Sequence, residues 1–203
     1  LALEFGLFDD RLYGMVEYFN RDSRNLLQDV PISTVTGFGS ILQNVGEVNN
    51  RGVEIQLGYD IFREGDWKWS ADVNGSFIDS KVTKLYRSEG DQRGQDIIWD
   101  DPTGGDDRAQ FMYREGESML AFYGFEWAGV DPENGRNMWY VNDPEGGDIG
   151  DFLHNGRGAT YNYSDANRVI LGSAIPTVYG GLNTNVGYKG FSLGFNFIYK
   201  IGG

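Results

Sequence analysis

The sequence predicts an all-β fold, an antiparallel up-and-down meander of about eight strands that forms part of a large transmembrane β-barrel. Three observations predict it. Apolar residues recur with a period of two, short turns alternate with long polar connections, and the alternating runs are long with aromatic residues at their ends. Successive side chains of a strand point to opposite faces, so a period of two gives one greasy face and one wet face.

The last hairpin shows the pattern best. Phe191, Leu193, Phe195, Phe197 and Tyr199 share one face, against Ser192, Gly194, Asn196, Ile198 and Lys200. The run before it sets Val178, Leu182, Thr184, Val186 and Tyr188 against Tyr179, Asn183 and Asn185, and Lys189-Gly190 supplies a tight turn between the two. A second hairpin pairs Val53, Ile55, Leu57, Tyr59 and Ile61 with Trp67, Trp69, Ala71, Val73 and Phe77 across the link at 63–66. A third opens the chain, with Leu1, Leu3, Phe5 and Leu7, a turn at 9–10, then Leu12, Val16 and Tyr18. A fourth is expected from about Met119 to Gly129, turning at 131–135 and returning through Met138 and Tyr140. Its alternation is blurred by Leu120 and Phe122.

Between these hairpins the expected connections are long and polar, about 23–45, 86–117 and 142–175. Structureless connections beyond about 12–15 residues are uncommon in compact domains. Tight turns on one rim and long loops on the other are the habit of outer-membrane barrels. Strands of about ten residues or more suit an apolar band about 25 Å tall, whereas soluble strands run to about five or six. Tyr59, Phe62, Trp67 and Trp69 gather near one turn, and Tyr188 and Phe191 near another. Amphipathic rings sit well at a lipid interface.

Composition removes other classes. The 203 residues include 30 glycines and no cysteine. Glycine at roughly twice its usual share of about 7% suits strands and turns better than helices. Without cysteine there are no disulfides and no thiolate metal sites. A formal net charge of −13 argues against a nucleic-acid binder. No apolar run approaches the ~20 residues of a spanning helix. The first residue lies inside a strand pattern, with neither a starting Met nor a signal peptide, and the sequence reads as an excerpt of a longer polypeptide.

Three segments carry a family resemblance. Asn44-Val45-Gly46-Glu47-Val48-Asn49-Asn50-Arg51-Gly52-Val53-Glu54 resembles an N-x-G-x-x-x-N-x-G-x-E approach to a barrel strand. Tyr123-Gly124-Phe125 is followed by Gly129-Val130-Asp131-Pro132-Glu133-Asn134-Gly135. The run from Ile170 to Leu182, with Gly172, Pro176, Gly180 and Gly181, resembles an I-G-x-x-x-P-x-x-x-G-G-L segment before a late hairpin. Together and in order they resemble the SusC/RagA group of TonB-dependent outer-membrane receptors. The resemblance implies a whole barrel of about 22 strands with a plugged lumen. It also implies import of oligosaccharides or peptides in a Gram-negative outer membrane, with a SusD-like surface lipoprotein and TonB as partners. The family's plug and TonB-contacting segment have no counterpart here, so gating and energy coupling are assigned to none of these residues.

Enzyme chemistry finds little support. The single histidine, His154, stands in a Gly/Asn-rich stretch expected to be a solvated loop, and no nucleophile-elbow, zinc-protease or P-loop pattern occurs. No cofactor is expected. Two acidic stretches, Asp100, Asp101, Asp106, Asp107 and Asp143, Glu145, Asp148, Asp151, offer oxygens of the kind calcium takes, without EF-hand spacing. The ligand-contact candidates are the aromatic residues of the long connections: Trp99, Tyr113, Trp139, Tyr161 and Tyr163, with Phe111 beside them. Such rings stack on sugar faces or simply pin loops together. The alternative to an importer wall is a soluble, secreted β-sandwich that binds glycans, with calcium in the acidic stretches.

Overall fold

The computed structural model describes residues 1–31, 37, 39–99 and 110–203. The strands, in chain order, are β1 (Ala2–Leu7), β2 (Leu12–Pro31), β3 (Ser40–Phe62), β4 (Trp67–Lys84), β5 (Ile97–Trp99), β6 (Gln110–Tyr113) and β7 (Ala121–Phe125). They continue with β8 (Trp127–Val130), β9 (Asn137–Tyr140), β10 (Phe152–His154), β11 (Arg157–Thr160), β12 (Arg168–Ser173), β13 (Val178–Tyr188) and β14 (Phe191–Ile201). One 3-10 turn, Tyr163–Asp165, interrupts the strands, and no α-helix occurs among the described residues.

Six of these strands form one antiparallel wall in the order β1-β2-β3-β4-β13-β14. Because β4 pairs directly with β13, the described residues between them hang from one edge of the wall as an inserted block. That block holds two four-stranded sheets, β10-β11-β9-β8 and β12-β7-β6-β5. Among the described residues the wall therefore has six strands rather than about eight. The hairpin expected around 131–135 exists as β8–β9, but it belongs to the block.

Register lines the apolar residues up in rows across the wall. Phe5, Gly14, Leu57, Val73, Leu182 and Phe197 make one row. Toward the short turns come Trp69, Val186 and Leu193, then Trp67, Tyr188 and Phe191; in the other direction lie Tyr18, Val53, Phe77, Val178 and Ile201. This face is uncovered, with Leu193 59%, Phe197 56% and Phe77 46% exposed. A β-sandwich would lay a second sheet over it, and among the described residues none lies there. The opposite face carries cross-strand polar contacts: Asn183 Nδ2 donates to Asp72 Oδ1 at 3.0 Å, and the Gly181 amide donates to Asn74 Oδ1 at 3.0 Å. With 11 residues each, β13 and β14 extend about 35 Å at ~3.3 Å per residue. At the usual tilt of ~40° that covers about 27 Å of height, close to a membrane barrel's apolar band.

The short turns share one rim. Arg63 Nη1 donates to the Asp9 carbonyl, the Lys189 amide donates to the Asp66 carbonyl at 3.2 Å, and the Trp67 and Tyr188 rings lie 4.5 Å apart. Lys189 and Gly190 both take positive φ, 43° and 89°, as a two-residue hairpin turn requires. Glycines inside the strands serve another purpose: a Cβ on Gly52 would meet the Phe19 ring at 2.7 Å, and one on Gly58 the Tyr13 ring at 2.3 Å. An aromatic ring from the next strand lies over each bare backbone.

At the far end the wall departs from expectation. The connection expected over 23–45 is mostly ladder, because β2 continues to Pro31 and β3 begins at Ser40. Bulges at Ser23/Leu26 and Leu26/Leu27 shift the register there. On the wet face of this extension Val48 and Val82 are buried with Leu85, and Ile97 and Tyr113 of the block pack on them. A bridge between Lys81 and Ser118, and hydrogen bonds joining Val82 to Gly116 and Glu117, fix the block to the wall.

Candidate functional site

The block concentrates the aromatic residues singled out from the sequence, in three groups. Trp99, at the end of β5, lies 6.5 Å from Phe111, and Phe111 stacks on Phe122 at 5.1 Å. Cross-strand pairing of β5 with β6 and of β6 with β7 produces this row, and Trp99 at its end is 63% exposed. Trp139 meets Tyr163 edge-on at 5.9 Å, and Tyr163 packs on Phe125 at 5.3 Å, so one ring couples the two small sheets. Tyr161 packs at a tilt on Phe152 at 4.6 Å, and the Arg136 guanidinium sits 4.1 Å above its ring. Tyr113 stands apart from these, in the cluster that covers Val48 and Val82. Trp139, Tyr163 and Tyr161 thus share the β8–β11 side of the block, Trp99 belongs to the β5–β7 row, and Tyr113 is a packing residue.

Polar contacts stiffen the β8–β9 turn. Asp131 Oδ1 accepts the Glu133 amide at 2.8 Å, and its Oδ2 accepts from Asn134 Nδ2 at 2.7 Å and from the Tyr161 hydroxyl. The Tyr161 hydroxyl, with the Glu133 amide next, holds the Asp131 carboxyl below the ordinary carboxylate range, and the same bond raises the Tyr161 phenol. Asp-Pro-Glu-Asn-Gly is therefore turn chemistry locked to a tyrosine 30 residues away.

Sequence reasoning missed a second constellation. Arg157 Nη1 and Nη2 donate to the two Glu126 carboxylate oxygens at 2.8 and 2.6 Å, Nη2 also donates to Asn142 Oδ1 at 2.7 Å, and the guanidinium lies 3.7 Å from the Tyr140 ring centroid. The Arg157 hydrogen bonds depress the Glu126 pKa against the opposing effect of burial. A local signal did exist: Asn155-Gly156, both at positive φ, is the two-residue turn that folds β10 onto β11 and presents Arg157.

His154 ends β10 half-buried, 6.1 Å from the Tyr140 ring, rather than in a solvated loop. Of the acidic stretches, Asp100, Asp101, Asp106 and Asp107 lie outside the described residues. In the other, Asp143 accepts the amides of Glu145, Gly147 and Asp148, Asp148 accepts that of Gly150, and Asp151 accepts that of Tyr161. Those amides hold the Asp143 pKa down, foremost the one from Asp148. Among the described residues no group of three or more His, Cys, Asp or Glu side chains is placed to share a metal ion.

A bare apolar outer face, a polar inner face and a folded block on the long-loop rim define a section of membrane-barrel wall. The sequence matches the family described as TonB dependent receptor-like, beta-barrel, over residues 1–199, and the chain belongs to that family. It is 31% identical over 209 residues to TonB-dependent receptor P3 of Formosa agariphila, covering 100% of this chain and 20% of that protein. It is also 24% identical over 197 residues to TonB-dependent receptor SusC of Bacteroides thetaiotaomicron, covering 96% of this chain and 18% of that one. Among solved structures, the RagAB peptide importer in the open-open state matches with a TM-score of 0.76 at 29% identity, over 99% of this chain and 20% of that one. The chain thus spans about a fifth of its relatives' length, and its SusC/RagA-like character rests on sequence and fold together.

Proposed function

We propose that these residues are a wall section and an external loop block of an outer-membrane, TonB-dependent importer of oligosaccharides or peptides. The observation that carries this reading is the uncovered apolar face of the six-stranded wall, Leu193 and Phe197 included. Lipid is the solvent in which such a face costs nothing, while the Asn- and Ser-bearing face opposite suits a hydrated lumen. The relatives support the transport assignment. RagAB is named a peptide importer and SusC a TonB-dependent receptor. A SusD-like surface lipoprotein and TonB are the partners this reading takes.

Within the block, Trp139 with Tyr163 and the exposed end of the Trp99 row are the surfaces we assign to ligand, through ring stacking and hydroxyl hydrogen bonds. Tyr161 is committed to Asp131 and Arg136, and Tyr113 to the core, so they support these surfaces from behind. Deleting the intact receptor should remove growth on one oligosaccharide or peptide source in a panel of both. Trp139→Ala with Tyr163→Ala should lower uptake of that same source while the barrel still assembles. A deletion strain that grows normally on the whole panel would sink the importer reading.

A further inference from the structure

The outer face of the wall changes character abruptly. The apolar rows that run up from the short turns end at Tyr18, Val53 and Phe77, and two residues further along each strand they give way to Asn20, Arg51 and Asp79. The next row on the same face is Asp22, Asn49 and Lys81, and beyond it stand Arg24, Glu47 and Lys84. From Arg51 to Glu47 this belt runs about 13 Å along the strand, at ~3.3 Å per residue. Its height, about 10 Å at the tilt of ~40°, spans the 5–8 Å or so of polar headgroup layer on each side of a bilayer.

The belt's charges are bonded to one another in a particular way. Asp79 is shared by two cations, Arg51 at 2.7 Å and Lys81 at 3.6 Å. Glu47 is likewise shared by Lys84 at 3.5 Å and Arg24 at 4.0 Å, and Arg24 also reaches Asp22 at 3.4 Å. Asn49 Nδ2 occupies Asp22 Oδ1 at 2.7 Å. Four cations thus face three carboxylates among the described residues, on a chain whose net charge is −13. All four cations are well exposed, with side chains 46–65% accessible. Exposed pairs of this kind hold their partners weakly, so a second anion can join without breaking a strong bond.

We propose that this belt contacts the phosphates of outer-leaflet glycolipid headgroups, with Arg51 and Lys81 as the first pair above the acyl chains. The inference rests on the reading that the apolar rows meet lipid. Charge complementarity and direct continuity with those rows select a lipid phosphate over a soluble anion. Guanidinium and ammonium groups at this height add headgroup attraction to the acyl-chain contact below, which fixes the vertical position of the wall.

The test uses the intact receptor in phosphatidylcholine nanodiscs doped with bisphosphorylated lipid A, and counts lipid A retained per barrel by native mass spectrometry. Arg51→Gln with Lys81→Gln should lower retention by about fivefold for each cation lost, from the attraction expected of a basic residue at an anionic surface. Exchanging the pair, Arg51→Asp with Asp79→Arg, keeps the net charge and should keep retention, and Arg63→Gln on the opposite rim should change nothing. Wild-type retention should fall when the lipid A is dephosphorylated. Equal retention by wild type and the double glutamine variant, both assembled by heat-modifiable gel migration, would overturn the belt. So would equal retention of dephosphorylated lipid A. A spin label at Leu57→Cys separates the two readings. An acyl environment there with no belt effect removes this inference alone, whereas a watery one removes the lipid-facing wall itself.

Discussion

The wall and the inserted block are built from the same element and stabilised in opposite ways. Over the membrane-height part of the wall no side chain is fully buried; most of its large apolar residues point outward and its order comes from unbroken ladders such as the 11 pairs linking β13 to β14. The block has short strands of three to six residues and a conventional interior, with Met112, Met138, Val141 and Ala159 nearly inaccessible. Long strands need no core when the surrounding solvent is itself apolar. Short ones must bury side chains against each other to stay ordered.

That contrast can be broken from either side. The largest effect is expected at the block's core, where Met112→Ala should cost about 2–5 kcal/mol. Hydrogen exchange on the intact receptor should then quicken in β5–β7 while β13 and β14 keep their protection. Next comes arginine at mid-height of the wall. Leu57→Arg should impair assembly by about 2–4 kcal/mol, Leu193→Arg by less because it lies near the short-turn rim, and Asn196→Arg on the wet face least of all. Yields of heat-modifiable barrel measure this series, and equal yields at Leu57 and Asn196 would remove the case for lipid. The smallest effect belongs to the exposed Glu126–Arg157 pair. Its carboxylate pKa is depressed in the folded block, so its contribution is present above the unfolded value and is lost as pH falls through the lower, folded one. Glu126→Gln should erase that acid dependence, read as exchange rates in β8–β11 across an acid titration. The change at neutral pH should stay within about 1 kcal/mol.

The wall was legible from the sequence wherever the period of two had an apolar face to mark it. The turns at 9–10, 63–66 and 189–190, and the faces of the strands they join, follow from that pattern. Legibility stops at Tyr18, Val53 and Phe77 for a physical reason. Above that row the ladder continues, but its outer side chains are Asn20, Arg51 and Asp79, so alternation fades and a strand reads as a loop. The block was opaque because strands of three to six residues carry too few repeats for a period of two to stand out. Candidate rings could be named singly, but that Tyr163 joins Phe125 to Trp139, or that Arg157 finds Glu126 from 31 residues away, has no local signature.

The direct pairing of β4 with β13 has a consequence for how such a protein can change. Val178 sits opposite Phe77, and the Ile78 amide donates to the Thr177 carbonyl, so the two stems of the block stand side by side in one sheet. What hangs between them can lengthen, shorten or be traded for a different fold without moving a single rung below. The surfaces of the block are thereby free to diversify, while the scaffold that holds them keeps its register, provided each newcomer still roofs Val48 and Val82.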